Sequence, residues 1–442
     1  MTEPNLHHAI DFLDEIQWRG LLFQSTDLDA LRAHLASPRK LYAGFDPTAD
    51  SLTIGNLVPI MVLVHAARAG HTPIVLMGGG TGLIGDPSGK TAERQLMTRE
   101  RVAEHVEAQR SIFVRAFEGA GLPEPTIVNN LDWLGGLGYL DLLRDIGKHF
   151  SVNQMIQRES VKQRLESREQ GISYTEFSYA ILQAYDFLHL FREHGVTLQL
   201  GGSDQWGNIV SGIDLIRRES AAESDEHDAP THLAHALTAP LVTKADGGKF
   251  GKTESGAIWL SAHRTSPYAY FQFWLNAADA DIPKFLRIFT LMTEDEIKAL
   301  EAEHAANPGA RTAHRALAIA ATTILHGPEE AELAERAGQA LFSGDLASLP
   351  EKTFREVLAE VPSSEHDKSQ LAGDGADPID LLVDTGLAKS KREAREFLGN
   401  GSVSVNGEKI SADDRLTSAR LLHGSYLALR RGKKAWHLTS WK

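Results

Sequence analysis

The sequence contains no cysteine among its 442 residues. This absence excludes disulfide bonds, a thiolate nucleophile and any zinc site built on cysteine ligands. The 19 histidines show neither an HExxH motif nor an i, i+4 pair that would bind a metal on one helix face. We therefore expect no protein-bound metal, and any metal ion should arrive with a ligand.

Long apolar runs are also missing. No stretch approaches the roughly 20 apolar residues that a membrane-spanning helix needs. The first residues, "MTEPNLHHAIDFLDEIQ", are acidic where a secretory signal is basic and then apolar. These two absences predict a cytoplasmic protein with no membrane partner.

Positive charge is scarce, since 45 lysines and arginines face 59 aspartates and glutamates, for a formal net charge of −14. Such a balance excludes a protein that coats nucleic acid non-specifically, because neutralising phosphates requires clustered basic side chains. The final stretch, "YLALRRGKKAWHLTSWK", is an exception with basic residues and no acidic ones. A local patch for RNA is therefore still possible.

Short apolar runs alternate with helical patterns from residue 41 to about residue 236. Examples are "KLYAGF" followed by "GNLVPIMVLVHAARAG", and "VTLQLGG" followed by "DQWGNIVSGIDLIRRE". This alternation predicts a Rossmann-like α/β domain with a parallel sheet, in residues 1–236 including an N-terminal helical segment. Ligands of such domains bind at the carboxyl ends of the strands.

The remainder of the chain divides into three predicted segments. Residues 237–360 hold a glycine-rich loop and an α-helical domain, in which Thr293 and Glu296 form a capping box. Residues 361–378 are polar and lack periodicity, which is typical of a linker. Residues 379–442 predict a small α+β domain, with a helix capped by Ser390 and a two-residue hairpin turn at Asn406-Gly407.

Two familiar phosphate-loop motifs are present only in defective form. "GTGLIG" (80–85) follows a predicted strand, but Asp86-Pro87 comes next where a dinucleotide motif continues into a helix. "GKT" occurs twice, but Ile84 and Asp246 stand where a Walker loop requires glycine. The sequence thus disfavours both a nicotinamide enzyme and a P-loop ATPase.

Two other stretches are better candidates for binding an anion. In "FDPTADSLTIGNLVPI", Gly55-Asn56 opens an apolar helix beside a strand end, where free backbone N–H groups favour a phosphate. In "TKADGGKFGKTESG", Lys249 and Lys252 suit spread-out negative charge such as a polyphosphate. An ordinary strand-to-helix connection and an exposed basic turn are the respective alternatives.

A polar stripe follows one predicted helix. In "SYTEFSYAILQAYDF", the side chains of Tyr179, Gln183 and Asp186 recur at i, i+4 and i+7 and share one face. Periodicity leaves open whether this face is an exposed edge or the wall of a polar pocket. "GGSDQWGN" adds Asp204 and Gln205 after another predicted strand.

Six motifs in one order carry a family resemblance: "YAGFDPTADSL", "TGLIGDPSGK", "GKHFSVNQM", "TEFSYAILQAYDF", "GGSDQWGN" and "KFGKT". With them the chain resembles, nearly end to end, the bacterial-type tyrosyl-tRNA synthetases of class I. By this resemblance "KFGKT" corresponds to the class I lysine loop and "TIGN" to the HIGH signature. The chain departs from HIGH at Thr53 and Asn56, which stand in place of the two histidines.

The resemblance implies a two-step reaction, with ATP-dependent activation of L-tyrosine followed by transfer of the tyrosyl group to tRNA(Tyr). It further implies Mg²⁺ accompanying ATP, a homodimer, an anticodon-side role for the helical domain and an S4-like RNA-binding domain at the carboxyl end. Two alternatives stay open: a ligase for a different amino acid, and an RNA-binding homologue with weak or altered adenylation.

The resemblance also assigns individual residues. Tyrosine binding falls to Tyr42, Asp86, Asn130, Tyr179, Gln183, Asp186 and Gln205. ATP binding falls to Gly44, Asp46, Gly55, Asn56, Gly202, Asp204, Lys249 and Lys252. Catalysis falls to Thr48, Thr53, Asn56, Lys90, Arg94, Lys249, Lys252 and Thr253. RNA binding is expected of Arg217, Arg218, Lys389, Lys391, Arg392, Arg395, Arg430, Arg431, Lys433 and Lys434.

Overall fold

A computed structural model describes residues 10–88, 96–166, 171–223, 233–248, 250–253, 256–359, 361–432 and 435–442. The chain divides into two compact units. The first comprises Met1–Thr265 and Phe273–Gly327, and the second comprises Ser266–Gln272 and Pro328–Lys442. Within the described ranges, no helix has both the length and the apolar character required to cross a bilayer.

The first unit is built on a six-stranded sheet. Its strands are β1 Gln24–Ser25, β2 Lys40–Phe45, β3 Thr72–Met77, β4 Thr126–Asn129, β5 Val196–Gly202 and β6 His235–Ala239. The order across the sheet is β1-β6-β5-β2-β3-β4, with β2 to β6 parallel and the short β1 antiparallel at one edge. This confirms the predicted parallel α/β class, although β6 carries the sheet past residue 236.

Fourteen helices are described between residues 10 and 326. They are α1 Phe12–Trp18, α2 Leu28–Leu35, α3 Leu57–Arg68, α4 Arg99–Gly119, α5 Leu131–Leu134, α6 Tyr139–Asp141, α7 Val152–Ile156, α8 Glu159–Glu166, α9 Tyr174–His194, α10 Trp206–Glu223, α11 Pro267–Leu275, α12 Ile282–Phe289, α13 Glu294–Ala306 and α14 Thr312–His326. Helix α11 begins in the second unit and ends in the first. A two-stranded hairpin, β7 Lys252–Thr253 and β8 Gly256–Ala257, completes the first unit.

The strand order places a ligand crevice between β2 and β5. From β2 the chain moves outward through β3 to β4 on one side, and from β5 it moves outward to β6 on the other. At such a switch point the loops leaving the strand ends diverge and open a crevice at the carboxyl ends of the strands. Helix α3 follows β2 and is buried nearly all round, which explains its almost unbroken apolar sequence.

The second unit contains a five-stranded sheet. Its strands are β9 Ser363–His366, β10 Val403–Val405, β11 Glu408–Lys409, β12 Tyr426–Arg431 and β13 Ala435–Trp441, in the order β11-β10-β12-β13-β9. Its helices are α15 Pro328–Ser343, α16 Glu351–Val357, α17 Pro378–Asp384 and α18 Lys391–Gly399. Asn406 and Gly407 have φ values of 51° and 88°, as the predicted two-residue hairpin turn requires.

The segment 361–378, which the sequence predicts to be a linker, is part of this second fold. Strand β9 pairs in parallel with β13, and Leu371 lies in the core beneath the sheet. The segment lacks an apolar signature because β9 is an edge strand whose four residues, "SSEH", are exposed or half-buried. The predicted helical domain also divides differently, since α12 to α14 belong to the first unit and α15 and α16 to the second.

Candidate active site

A cavity of about 530 Å³ opens at the carboxyl ends of β2 and β5. It brings together most of the residues that the sequence assigned to tyrosine and ATP. Those that line it are Tyr42, Gly44, Asp46, Thr48, Thr53, Gly55, Asn56, Asp86, Asn130, Tyr179, Gln183, Asp186, Gly202, Asp204 and Gln205. The polar stripe of α9 is therefore the wall of a polar pocket, which periodicity alone could not decide.

Asp186 is the most deeply held carboxylate of the cavity. Its Oδ2 accepts a hydrogen bond from Asn130 Nδ2 at 2.9 Å, and its Oδ1 accepts one from Trp133 Nε1 at 2.7 Å. Burial raises the pKa of Asp186 to about 7, although both hydrogen bonds act in the opposite direction. This carboxyl group therefore binds and releases a proton close to neutral pH.

Two polar atoms beside Asp186 are buried without a hydrogen-bond partner: the hydroxyl of Tyr42 and the Oε1 of Gln183. Burial, followed by the nearby charge of Asp186, raises the pKa of Tyr42 well above its usual range, so its hydroxyl keeps its proton. Unsatisfied buried polar atoms cost about 1–3 kcal/mol each, so such atoms in a cavity indicate a ligand that completes their hydrogen bonds.

Two further carboxylates are oriented by neighbouring side chains. Asp46 accepts from the hydroxyl of Tyr179 at 2.9 Å and from Thr81 Oγ1 at 2.8 Å. Asp86 accepts from Gln205 Nε2 at 2.7 Å and from the Ser88 backbone N–H at 2.9 Å. These bonds fix the carboxylates in the cavity wall, where they can attract a ligand ammonium group.

The charges of the cavity wall are negative. They favour the ammonium group of a ligand, but they would repel a phosphate unless cations are added from elsewhere. Four aspartates, and no lysine or arginine, occur among the described residues that line it. Burial, and then the charge of Asp86, raises the pKa of Asp204. A polyphosphate could bind here only with cations from outside this wall.

The predicted sources of that positive charge fall mostly beyond the described ranges. Lys90, Arg94 and Lys249 lie outside the described residues. Lys252 and Thr253 form strand β7, whose backbone pairs with β8, but their side chains are also outside the description. Their roles in phosphate binding stay predictions.

The "TIGN" segment forms the predicted helix start. Asn56 Oδ1 accepts hydrogen bonds from the Thr53 backbone N–H at 3.2 Å and from Thr53 Oγ1 at 3.1 Å. The short 3-10 turn Ile54–Asn56 then leads into α3. The backbone N–H of Ile54 donates to the Ile258 carbonyl, and that of Asn56 donates to the Thr53 carbonyl. Because the Thr53 hydroxyl donates to Asn56, Thr53 orders this turn.

The lysine loop packs against other parts of the first unit at Phe250 and at Gly251. The ring of Phe250 stacks on Phe289, with centroids 5.2 Å apart and planes 11° from parallel. The next residue, Gly251, has a φ of 77°, and a Cβ at this position would lie only 2.3 Å from Ile54 Cγ2. The loop therefore reaches the "TIGN" segment by a close approach that only glycine permits.

Family models match almost the whole of the chain. The model for class I tRNA synthetases (W and Y) matches residues 35–343, and the model for a tyrosine--tRNA ligase SYY-like C-terminal domain matches residues 353–439. The chain belongs to the class I tyrosyl-tRNA synthetase family.

Named relatives of this synthetase cover it from end to end. The tyrosine--tRNA ligase of Aeromonas hydrophila subsp. hydrophila is 49% identical, with 100% of both chains covered. That of Thermobifida fusca is also 49% identical, covering 96% of this chain and 98% of its own. A solved structure, a C-terminally truncated mitochondrial tyrosyl-tRNA synthetase from Aspergillus nidulans, is 29% identical with a TM-score of 0.67, and the match covers 75% of this chain and 94% of that one.

Sequence reasoning missed one residue of the synthetase site and found a second that also positions Asp186. Trp133, which donates to Asp186, follows strand β4 in "NNLDWL" and has no motif of its own. Asn130 also lines the cavity, and its amide bonds to neighbouring groups of the protein, so its contact with tyrosine stays a prediction. Its Oδ1 accepts from the Gly80 N–H at 2.7 Å while its Nδ2 holds Asp186. For Asn130 the available signal was a polar residue directly after strand β4, whereas no local signal pointed to Trp133.

The basic residues predicted to bind RNA differ in how free they are. In the first unit Asp214 pairs with both Arg217 and Arg218, at 2.5 and 2.8 Å. Such exposed pairs contribute little to stability and can open in the presence of another anion. These two arginines therefore remain predicted rather than demonstrated RNA ligands.

In the second unit the strand arginines serve the fold. Arg430 packs over Trp436, with 5.0 Å from guanidinium carbon to ring centroid, and Arg431 packs over Phe397 at the same distance. Arg431 also donates to the Leu387 carbonyl at 2.7 Å. Both are half-buried, and the neighbouring Lys433 and Lys434 lie outside the described residues.

Helix α18 presents the more accessible basic group. Lys389, Arg392 and Arg395 are exposed at its start and along its length. Lys391 is exposed as well, but it pairs with Asp380 at 2.5 Å. The basic surface of this unit, as far as it is described, is therefore carried by α18 more than by the β12–β13 turn.

Proposed function

We infer that the chain joins L-tyrosine to ATP to form tyrosyl-adenylate and then transfers the tyrosyl group to the 3′ end of tRNA(Tyr). The observation that carries this inference is that the buried carboxylate of Asp186 lies close enough to the buried, unpartnered hydroxyl of Tyr42 to raise its pKa. A substrate phenol would donate to Asp186 and accept from Tyr42. Both groups would then be satisfied.

This arrangement also argues against other amino acids. Phenylalanine or an aliphatic side chain would leave the Tyr42 hydroxyl unpartnered and Asp186 without its added donor. A site built to hydrogen-bond a hydroxyl rejects an analogue that lacks it, because its own polar groups are then stranded in a dry pocket. The alternative of a ligase for a different amino acid therefore has no support in this pocket.

The rest of the substrate fits the acidic wall. We propose that Asp86, Tyr179 and Gln183 hold the ammonium group, with the unpartnered Gln183 Oε1 as one acceptor. Gln205 would lie near the carboxylate, and its amide is already oriented by Asp86. This placement leaves the tyrosine carboxylate pointing towards the start of α3.

At that position the reaction is an in-line displacement. A carboxylate oxygen of tyrosine bonds to the α-phosphorus of ATP, and the bond from that phosphorus to the bridging oxygen of pyrophosphate breaks. The nucleotide substrate is the Mg²⁺ complex of ATP. The positive end of the α3 dipole and the loop residues Lys249, Lys252 and Thr253 would stabilise the charge that develops on pyrophosphate, with Asp204 at the ribose.

No covalent bond to the protein is needed in either step. The terminal adenosine hydroxyl of tRNA attacks the tyrosyl carbonyl, and AMP leaves with the electron pair of the mixed-anhydride bond. Catalysis then rests on positioning two bound reactants and on fixed charges. The alternative of an RNA-binding homologue with weak adenylation would leave this complete cavity unused.

Tyr42→Phe tests the assignment of the phenol pocket. The variant removes the unpartnered hydroxyl without changing the ring, so tyrosine affinity should fall by roughly 3- to 12-fold, which is one neutral hydrogen bond of about 0.7–1.5 kcal/mol. The affinity for phenylalanine should stay equal or rise, because the variant no longer has a Tyr42 hydroxyl that phenylalanine would leave without a hydrogen bond. Equal loss for both amino acids would show that Tyr42 shapes the pocket without contacting the substrate hydroxyl.

The tRNA is proposed to contact the second unit through α18. Exposed Lys389, Arg392 and Arg395 can bind phosphates in a salt-dependent way, and arginines can stack on unpaired bases. A triple Lys389→Ala, Arg392→Ala, Arg395→Ala variant should raise the KM for tRNA and leave pyrophosphate exchange unchanged. A normal KM for tRNA would move the RNA surface elsewhere.

A homodimer and a cytoplasmic location complete the proposal. Exposed apolar side chains concentrate between residues 139 and 174, including Tyr139, Leu140, Val152 and Tyr174, of which Leu140 is 76% exposed. Such surfaces mark protein–protein contacts. Sedimentation of the wild type and of Leu140→Glu should show a dimer that the variant weakens, whereas a monomeric wild type would refute this part.

A further inference from the structure

Three side chains with metal-binding chemistry meet in the helical part of the first unit, outside the substrate cavity. Asp279 lies in the short turn before α12, His304 near the end of α13 and His314 in the first part of α14. Each residue offers one ligand atom, which is a ring nitrogen for each histidine and a carboxylate oxygen for Asp279. These three atoms all lie within 4.8 Å of one another. The three elements converge through the packing of α12, α13 and α14.

The two histidines of this cluster have buried ring nitrogens that lack well-aligned hydrogen bonds. His314 is fully buried. Its Nε2 lies 3.1 Å from Asp279 Oδ1 and its ring also contacts the backbone of Ala277, but neither contact has the alignment of a full hydrogen bond. The Nδ1 of His304 is likewise buried without a hydrogen bond. A buried ring nitrogen that accepts no hydrogen bond is energetically costly, because its lone pair has lost water and gained no partner. A bound cation would provide that partner.

An ion pair between His314 and Asp279 is the simpler explanation. That contact involves one nitrogen of one ring. It leaves unexplained why a ring nitrogen of His304 also lies within 4.8 Å of both groups.

We propose that Asp279, His304 and His314 bind a single Zn²⁺ ion. Two imidazoles and one carboxylate form a common ligand set for zinc, with water in the fourth position. Ligand atoms around a tetrahedral zinc lie roughly 3.3 Å apart for bonds of about 2.0–2.1 Å. The 4.8 Å spread must therefore contract, and Asp279, whose side chain is 65% exposed, can move to allow this.

The site escapes local sequence patterns because its ligands are 25 and 10 residues apart in the chain. The expectation of no protein-bound metal rested on histidine spacings within one helix. Here each element supplies one ligand. The exposed carboxylate also gives the ion an entry path from solvent.

The test is a titration of the full-length, untagged protein with Zn²⁺ by calorimetry. We expect one ion per chain, and Asp279→Asn and His304→Gln should each weaken binding by about tenfold or more, since even outer-shell partners of a metal can be worth about tenfold. Asp279→Asn is nearly isosteric at an exposed position, so it tests the site even if a histidine variant folds poorly.

His263→Gln is the matched control, because His263 also lies beside a carboxylate, at 3.2 Å from Asp50. Its Zn²⁺ affinity should equal that of the wild type. With Co²⁺ in place of Zn²⁺, the wild type should show the intense visible bands of a tetrahedral site, and Asp279→Asn should reduce them. Absence of saturable binding, unchanged affinity in both cluster variants, or an equal loss in His263→Gln would each overturn the proposal.

Discussion

Asp186→Asn should show two separate effects of the buried carboxylate: the stability that its burial costs the fold, and the affinity that it provides for tyrosine. In the wild type the pKa of Asp186 rises from an ordinary 3.8 to about 7, chiefly through burial. Its proton is therefore held more tightly in the folded than in the unfolded state. For an acid with a raised pKa, the fold loses stability as pH rises from the unfolded value to the folded one.

The size of this loss follows from the shift. Each unit of pKa difference corresponds to about 1.4 kcal/mol, so between about pH 5.5 and pH 8.5 the wild type loses about 2 kcal/mol, most of it below pH 7. Asparagine does not ionise, and its mismatch with the donors Asn130 and Trp133 is independent of pH. The free energy of unfolding of Asp186→Asn relative to wild type should therefore rise by about 2 kcal/mol over that range.

The same substitution should impair catalysis. It replaces a hydrogen bond to a charged acceptor, worth about 1.5–3 kcal/mol, so kcat/KM for tyrosine should fall roughly 10- to 100-fold at pH 8. Wild-type KM for tyrosine should rise as pH falls below about 7, because the protonated carboxyl no longer attracts the phenol in the same way, and the variant should lack this rise. A stability difference that does not change with pH, together with normal tyrosine kinetics, would refute the reasoning.

Three further predictions concern the lysine loop and the division of the chain. Gly251→Ala should slow adenylate formation roughly 10- to 100-fold, because its Cβ would collide with Ile54 at 2.3 Å and displace the loop; a normal single-turnover rate would show that the loop adopts another position in the reaction. Lys249→Ala and Lys252→Ala should each slow that step roughly 100-fold and leave tyrosine binding in the absence of ATP unchanged, whereas weaker tyrosine binding would point to a collapsed site. A chain ending at Gly327, where the first unit ends, should retain tyrosine-dependent pyrophosphate exchange and lose tRNA charging, and parallel loss of both would contradict this separation.

Local signals predicted the elements whose geometry is set by neighbouring residues. The hairpin turn at Asn406-Gly407 and the cap at Ser390 depend on a few adjacent residues, and both are found as expected. The shared face of Tyr179, Gln183 and Asp186 follows from helical periodicity alone. What that face meets depends on strands and loops far away in the chain, so its pocket had to be seen in the structure.

The interactions that tune the site are long-range. Asn130 and Trp133 reach Asp186 across 56 and 53 residues of sequence, and neither belongs to a motif. Strand β9 was hidden because an edge strand has little apolar surface to bury, and its polar sequence matches that of a linker. The zinc cluster was hidden because its members come from three separate elements. Sequence patterns predict local geometry, whereas these features depend on contacts between residues that are far apart in the chain.

The most direct test of the central claim is amino-acid-dependent exchange of pyrophosphate into ATP, run with tyrosine and with each of the other amino acids in turn. The pocket around Asp186 and Tyr42 predicts rapid exchange with tyrosine and exchange with phenylalanine lower by several orders of magnitude. Exchange that is absent with tyrosine, or as fast with phenylalanine or another amino acid, would contradict the account.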